Sequence, residues 1–386
     1  MNIKELKKNV RDYGMYIALF VIMLLFTILT GGLFMRPRNI SNLLDQTGYV
    51  AVLAVGMTMI LIIRHIDLSV GFVAGFLGAV AATLMKMGSI PLPFVIVITI
   101  AIGVVIGMYQ GWLVAFMGVP SFVATLAGMF IFRGALLRIT EGTGTIIVEN
   151  QVFNALGNGF IPDLFSGGNL HLLTLVLGLA AVILFVSNEI IQRGTKKKYG
   201  FEQQSLDLFV GKIVIISLLI MYFCWQLAQY RGISWTVVIV IAVVAVLKVF
   251  LDNTVLGRHV YAIGGNPEAA ELSGIKVKGV TFFVFIMMSA LSALAGILYT
   301  ARLQSATTIA GVGFELDAIA ASYVGGVSAS GGVGKITGTI VGAIVMTALS
   351  NGMNLLGVDI SYQYIVRGLV LVLAVLFDVQ SRRVKI

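Results

Sequence analysis

The chain has 386 residues, a net charge of +9 and a mean hydropathy of +1.01, and it is 59% apolar but only 11% charged. Soluble domains contain about 25% charged residues, so this composition excludes a soluble protein and is typical of an integral membrane protein. The basic residues are scattered over short loops rather than gathered in one patch, which indicates the positive-inside bias of membrane proteins and not nucleic-acid binding.

Apolar runs of about 20 residues, the length that crosses a bilayer, recur along the chain. The first follows a basic lead and has no small-residue cleavage site after it, so we interpret it as a retained span and not as a signal peptide. The sequence predicts an all-α polytopic protein, one transmembrane domain over residues 1–386. About twelve spans are expected, near 14–33, 47–63, 70–86, 92–116, 121–140, 170–188, 213–229, 233–251, 280–301, 316–328, 336–355 and 363–379. The tenth is short and interrupted by Gly325 and Gly326.

The distribution of basic residues predicts the orientation of these spans in a cell membrane. With the N-terminus inside, most Lys and Arg residues fall on the cytoplasmic side, including the KKK run at 196–198 and the basic C-terminus. Both termini and residues 252–279 are then cytoplasmic. The polar segment 141–169 is extracytoplasmic, where it could serve as a partner surface or a lid.

A glycine-rich polar stretch, GRHVYAIGGNPEAAELSGIKVKG at 257–279, separates two long apolar runs. Asn266 can cap a helix with its side-chain oxygen, and Pro267 fits the first helical position. Glu268 suits the positive end of the helix dipole, and Gly274 can end the helix in the left-handed conformation. A helix of about two turns is marginal without tertiary support, so we expect it to dock on another protein.

Two regions of the chain resemble each other. RHIDLSVGFVAGFLGAVAA at 64–82 and FELDAIAASYVGGVSASGG at 314–332 each place an acid at the start of a small-residue helix. We therefore predict a core of inverted repeats, about 47–140 and 280–379, of opposite orientation in the membrane, as in many transporters. Chance matching of Gly and Ala in apolar helices is the alternative.

Polar residues within or beside the spans are candidates for a translocation pathway or gate. The acids stand at helix starts, where capping is the alternative, and two arginines occupy corresponding places in the two repeats, where structural pairing or snorkelling is the alternative. Asn351, Asn354 and Gln363 could contact a polyhydroxylated solute near the outer vestibule. The candidates are Asp67, Ser69, Arg133, Glu315, Asp317, Asn351, Asn354 and Arg367.

The sequence contains no recognisable catalytic, metal or cofactor site. His65, His171 and His259 lack metal-ligand spacing, and Cys224 has no partner for an intramolecular disulfide. GGVGKIT at 331–337 departs from the nucleotide-binding pattern GxxxxGK[ST], which requires Ser or Thr where Ile336 stands. We therefore expect no enzyme activity and no nucleotide hydrolysis by this chain.

Several of these stretches resemble the monosaccharide permease family of ATP-binding cassette (ABC) importers, the ribose, xylose and galactose type. The likeness covers most of 15–140 and 250–380, and its most specific part is IGGNPEAAELSGI at 263–275. IDLSVG at 66–71, VPSFVATLAGMFIFRG at 119–134 and ELDAIAASYVGGVSASGGVGKITGT at 315–339 also match. An apparent insertion at about 189–232, which adds a basic loop and a helix pair, resembles the xylose-type or multiple-sugar branch.

The resemblance implies a permease subunit with a type II importer fold that moves a pentose or hexose by alternating access. It implies a homodimer, a cytoplasmic ABC ATPase, and an extracytoplasmic sugar-binding protein or lipoprotein as partners. The coupling loop 252–279 would contact the ATPase through Gly257, Arg258, Gly264, Gly265, Asn266, Pro267, Glu268, Ala269, Ala270, Leu272 and Gly274. A secondary transporter driven by an ion gradient, and ABC permeases for nucleosides, autoinducers or branched-chain amino acids, remain alternatives.

Overall fold

The computed structural model describes residues 3–142, 144–165, 168, 170–200 and 205–383. The predicted cytoplasmic termini lie outside the described residues at Met1 and Asn2 and at 384–386. Within the described part, helices account for nearly all regular structure. They are α1 (Ile3–Leu29), α2 (Pro37–Ile62), α3 (Val70–Met87), α4 (Leu92–Ala115), α5 (Ser121–Thr140), α6 (Gln151–Asn158), α7 (Leu172–Lys198), α8 (Leu206–Ala228), α9 (Trp235–Asn253), α10 (Val255–Gly265), α11 (Pro267–Leu272), α12 (Val277–Leu303), α13 (Phe314–Val324), α14 (Ile336–Leu355) and α15 (Ile360–Arg383).

Ten of these helices are long and apolar enough to cross a membrane within the described residues, and α1 adds a shorter apolar stretch, Gly14–Leu29. This confirms the all-α polytopic class. The sequence predicts the tenth span, 316–328, to be short and interrupted at Gly325 and Gly326. It corresponds to α13, whose eleven residues extend about 16 Å, roughly half of a 30 Å hydrocarbon layer. Gly325 and Gly326, the latter at φ +88°, end it early.

The chain nevertheless runs from one end of α14 to the other between the end of α12 and the end of α13. Leu303, at the end of α12, and Asn354, near the end of α14, line one cavity, whereas Gly325 lies against Gly338 at the start of α14. The connection is therefore a non-helical stretch, 304–313, followed by the half-length helix α13. Irregular backbone at membrane depth is tolerated where it is buried in protein or lines a cavity.

The larger of two compact units contains residues 1–34, 43–159 and 236–386. Its centre is α12, which packs on α3 and α4 through small residues. A Cβ atom added to Gly296 would lie 2.1 Å from the Ala74 carbonyl oxygen, so only glycine permits this approach of α12 to α3. Two three-residue strands, β1 (Thr145–Ile147) and β2 (Ser305–Thr307), pair antiparallel in the same unit.

The second compact unit contains residues 35–42 and 160–235 and is built mainly from α7 and α8. Gly178 of α7 faces Cys224 of α8, where an added Cβ would be 2.7 Å from the thiol sulfur. Cys224 is thus a small packing residue between two helices. At the start of α7 the Asp163 carboxylate accepts hydrogen bonds from the Leu172 and Leu173 amides, at 2.8 and 3.2 Å.

Candidate functional site

The polar stretch after α9 folds into two consecutive helices, α10 and α11, of which the sequence predicted only the second. Thr254 begins α10 by accepting a hydrogen bond from the Gly257 amide at 3.0 Å. Three glycines in α10 obscured it, because each costs about 1 kcal/mol of helix propensity. Burial of Val260 and Ile263 compensates for this cost.

The short helix α11 has the caps that the sequence predicted. The Asn266 side chain accepts a hydrogen bond from the Ala269 amide at 3.0 Å, and Pro267 occupies the first helical position. Gly274 follows the helix at φ +83°. These contacts link residues only a few positions apart, so the local sequence suffices to form them.

One side of α11 packs on its own chain and the rest is exposed. Ala270 is 4% exposed, whereas Leu272 is 91% exposed, an unusual state for a leucine in a six-residue helix. The other predicted coupling residues divide in the same way. Gly257 and Gly264 are buried, Pro267 is half-buried, and Arg258, Gly265, Asn266, Glu268, Ala269 and Gly274 are exposed.

Arg64 connects the end of α2 to this region. In the sequence it stands out only as one of the basic residues that predict the orientation. Its Nε donates to the Gly264 carbonyl oxygen at 2.7 Å, and a second guanidinium nitrogen donates to the Gly265 carbonyl oxygen. The guanidinium therefore caps the negative end of α10. Arg64 adopts φ +63°, an uncommon conformation for a non-glycine residue, which costs about 1–2 kcal/mol.

The backbone of α10 touches the ends of two other segments at Gly264. An added Cβ there would be 1.9 Å from the Ile62 carbonyl oxygen and 2.5 Å from the Gly332 amide nitrogen. The Gly332 amide itself donates to the Ile62 carbonyl oxygen at 2.9 Å. Tyr261 of α10 donates its hydroxyl to the Gly334 carbonyl oxygen at 2.9 Å. We call this contact of α2, α10 and the loop 328–335 the junction.

Buried hydroxyl groups join α2, α13 and α14 above the junction. The Thr58 and Thr339 side-chain oxygens are 2.6 Å apart, and Ser322 donates to the Ala54 carbonyl oxygen at 3.1 Å. All three hydroxyl-bearing side chains are buried. These contacts connect α13 and α14 to α2, the helix that ends at the junction.

The first predicted acid, Asp67, is fully buried before α3. One carboxylate oxygen accepts from the Ser69 amide at 2.9 Å and from the Ser69 hydroxyl at 2.7 Å. Gln110 of α4 donates to the same hydroxyl at 2.8 Å. The arrangement orders the turn before α3, whose N-cap residue Ser69 makes no side-chain cap hydrogen bond.

The N-terminal ends of α3 and α13 lie against each other. A Cβ added to Gly71, in the first turn of α3, would be 2.3 Å from the Gly311 carbonyl oxygen and 2.4 Å from Glu315 Oε2. Glu315 and Asp317 stand in the first turn of α13 and are 9% and 8% exposed. The acids that the sequence singled out in the two repeats thus belong to two helix starts in contact.

A cavity of about 320 Å³ lies at the ends of α12 and α14 and the start of α13. Its walls combine aromatic, basic, acidic and amide side chains. They are Gln46, Tyr49, Val50, Tyr299, Arg302, Leu303, Val312, Phe314, Asp317, Met346, Thr347, Ser350, Asn354 and Arg367. Val50 in this wall and Ile62 at the junction are twelve residues apart on α2, about 18 Å along the helix axis.

Three of the predicted pathway residues meet in this cavity. The Arg367 guanidinium is 3.3 Å from the Asp317 carboxylate, and Asn354 accepts a hydrogen bond from Gln363 at 2.8 Å. Asn351 donates to the lining residue Gln46 at 3.4 Å. These contacts fit the predicted need of Arg367 for a partner within the spans.

Arg133, the predicted counterpart of Arg367, does not line the cavity. It is exposed on α5, with its guanidinium carbon 5.6 Å from the centre of the Phe72 ring. Its position fits a cation–π contact on the surface of the helix bundle. The two arginines therefore have different surroundings in this chain.

The aromatic part of the cavity was not predicted from the sequence. Tyr49 and Tyr299 have ring centres 5.1 Å apart, and Phe314 lies 4.7 Å from the first and 4.8 Å from the second. These residues come from three helices far apart in the chain, and aromatic residues are common in membrane spans. The one signal in the sequence was that two polar residues, Gln46 and Arg302, lie directly beside the ends of predicted spans.

Comparison with known proteins identifies relatives along nearly the whole chain. A family model described as branched-chain amino acid transport system / permease component matches residues 39–375. The xylose transport system permease protein XylH of Haemophilus influenzae is 41% identical over 97% of this chain and 98% of that protein. XylH of Escherichia coli K12 is 38% identical over 97% of this chain and 93% of that protein.

Ribose permeases are more distant. The ribose import permease protein RbsC of Bacillus subtilis is 34% identical over 95% of this chain and 92% of that protein. No solved structure matches the chain significantly.

Proposed function

The chain belongs to the permease family of ABC-type sugar importers, and we propose that it carries a pentose across the membrane while a partner ATPase docks on α11. Relatives named as xylose and ribose permeases support this substrate class. A permease subunit of this kind is a transport protein and not an enzyme. The family implies a separate ATPase and a sugar-binding protein as partners.

The exposure of helix α11 supports the proposal that this region contacts the ATPase. Both ends of α11 are capped, yet six residues make too little local structure to be stable without a surface to pack on. Buried Ala270 holds one side of α11 on its own chain, which leaves Leu272 and Glu268 exposed for a partner. An apolar anchor beside a charged residue is a common arrangement at protein interfaces.

The junction offers a physical route from this docking site into the transmembrane core. Movement of α11 pulls on α10, whose Gly264 is in contact with Ile62 of α2 and Gly332. From there the Thr58–Thr339 contact leads to α14 and, through it, to the cavity. We propose that this route couples the nucleotide state of the ATPase to the opening of the pathway.

The proposed function includes the orientation of the chain in the membrane and the inverted repeats. Docking on a cytoplasmic ATPase requires α11 and the junction to be cytoplasmic, and the basic residues of the sequence favour this orientation. The cavity then belongs to the outer half of the membrane. The contact between the starts of α3 and α13 supports two inverted repeats, because a two-fold axis in the membrane would pass between them.

Purification of the permease with its ATPase tests the docking site. We expect Leu272→Asp and Glu268→Arg to reduce the recovery of the ATPase at least tenfold and to abolish uptake of radiolabelled D-xylose or D-ribose. Leu206→Asp, the same change at another exposed leucine, is the control and retains both. Native mass spectrometry of the wild-type complex is expected to give two permease chains.

Size-exclusion profiles distinguish loss of docking from loss of folding. Normal ATPase recovery and normal uptake in both α11 variants would show that the ATPase docks elsewhere. Uptake of leucine in preference to either pentose would instead favour the amino-acid function that the family description names.

A further inference from the structure

The cavity beside α13 has features that energy coupling does not explain. It is lined by residues of α2, α12, α13, α14 and α15, and it lies about 18 Å along α2 from the junction. We propose that this cavity is a binding site for one neutral monosaccharide within each permease chain, occupied during passage. The proposal rests on the sugar transport proposed above and adds a site in the permease itself.

The aromatic wall fits the apolar face of a sugar ring. Tyr49, Tyr299 and Phe314 form a cluster in which all ring centres are within 5.1 Å of one another. The axial C–H groups of a pyranose form a flat apolar face, and burying that face against aromatic carbon removes apolar surface from water. The two tyrosines also carry hydroxyl groups that can donate to or accept from the sugar.

Other residues of the lining supply hydrogen-bonding groups in fixed positions. Arg367 and Asp317 are held together at 3.3 Å, with side chains 26% and 11% exposed. A guanidinium and a carboxylate side by side offer paired donors and acceptors for neighbouring hydroxyl groups. Asn354 is fixed by its bond to Gln363 and is exposed to the cavity opening.

One polar atom in this wall is buried without a protein partner among the described residues. Arg367 Nε has no hydrogen-bond acceptor, and a buried donor that stays unpaired is costly. This nitrogen has almost no accessible surface, although Arg367 lines the cavity. A small shift of the Arg367 side chain would expose the donor to an oxygen atom in the cavity, such as a hydroxyl group of a bound sugar.

The charges around the cavity favour a neutral ligand. Arg367 is balanced by Asp317, and Arg302 lies within the electrostatic influence of Asp45. With an acid near each arginine, Asp317 in the wall and Asp45 outside it, the two positive charges are balanced and do not attract a phosphate or carboxylate. The volume of about 320 Å³ is at the lower end of ligand pockets, which suits a single sugar ring.

Saturation-transfer NMR on the permease–ATPase complex in nanodiscs, without any binding protein, tests the site. We expect signals from D-xylose or D-ribose with the wild-type complex and none from D-glucuronate at equal concentration. Phe314→Leu removes one aromatic ring at nearly constant volume, and we expect it to weaken binding about tenfold and to raise the KM of uptake similarly. Phe130→Leu, the same change at a 60% exposed position, is the control and changes neither value.

The results separate this inference from the proposed function. A complex that imports pentose with its binding protein, yet gives no signal alone and an unchanged KM in Phe314→Leu, would overturn the binding site. Equal or stronger signals from glucuronate would overturn the assignment to a neutral ligand. A complex that imports neither pentose contradicts the proposed function, whereas the sensitivity of the NMR signal to Phe314→Leu still decides whether the cavity binds sugar.

Discussion

Gly264→Ala is the sharpest perturbation that the structure offers for the junction. The added methyl carbon would lie 1.9 Å from the Ile62 carbonyl oxygen and 2.5 Å from the Gly332 nitrogen. Ordinary contact begins near 3.4 Å, so α10 and the end of α2 must separate by about 1.5 Å. Both neighbouring atoms belong to the backbone, so no side-chain rotation can relieve the clash.

The energetic cost is moderate compared with the expected functional effect. Overpacking of this kind costs about 1–3 kcal/mol, and the higher helix propensity of alanine returns about 1 kcal/mol of it. We therefore expect the variant to fold with slightly lower stability. A displacement of α10 by about 1.5 Å would also lengthen the hydrogen bond from Arg64 Nε to the Gly264 carbonyl oxygen, now 2.7 Å, beyond bonding distance.

The assay measures sugar uptake and ATP hydrolysis in the same proteoliposomes. We expect Gly264→Ala to bind the ATPase and hydrolyse ATP while the amount of sugar imported per ATP falls at least fivefold. Gly134→Ala controls for adding a methyl group to a helical glycine, because its Cβ meets no atom within 4 Å. The Cβ of Gly265→Ala also meets no atom within 4 Å among the described residues, so we expect a loss in that variant to report on the ATPase surface.

An unchanged ratio of sugar to ATP in Gly264→Ala would refute the assignment of the junction as the coupling route. Loss of the ATPase from the complex would refute it too, because the change would then act on docking and not on transmission.

Two further predictions concern the cavity wall and the start of α15. Asp317→Asn and Arg367→Gln should each lower the free energy of unfolding by about 2 kcal/mol, because each single change leaves a partly buried charge unpaired. The double variant should lose less than the sum of the two, and additive losses in denaturant titrations would contradict an ion pair. The Ser361 hydroxyl and amide donate to Asp359 and lower the pKa of that carboxyl below its usual range. The depressed pKa stabilises the folded state above the unfolded pKa of about 3.9, and this contribution is lost as pH falls through the folded value. The melting temperatures of the wild type and Asp359→Asn should therefore differ at pH 6 and converge once the pH falls below the folded pKa of Asp359, and a constant difference would contradict the assignment.

Short-range features of this chain were predictable because the contacts that make them lie within one helical turn. Asn266 reaches an amide three residues away, and Gly274 takes its left-handed conformation immediately after the helix that it ends. The number of apolar runs was predictable because crossing a bilayer requires a fixed length. The half-length of α13 was only partly visible, as Gly325 and Gly326 indicated an interruption but not the non-helical stretch before it.

The cavity could not be derived from the sequence, because its walls come from five helices up to 321 positions apart, from Gln46 to Arg367. In a membrane protein apolar side chains face both lipid and protein, so hydropathy does not reveal which face of a helix is buried. The junction was hidden for the same reason. Arg64 belongs to the basic residues that set orientation, and its role arises only because packing brings α10 to the end of α2.

The sequence by itself determined the membrane class, the family and the capped helix α11, since these depend on composition, on motifs and on contacts between near neighbours. The tertiary structure decided which polar residues share a site and where α11 is attached. Those facts depend on close backbone approaches, such as Gly264 to Ile62, between segments about 200 residues apart. Their free energy comes from packing of whole helices and has no local signature.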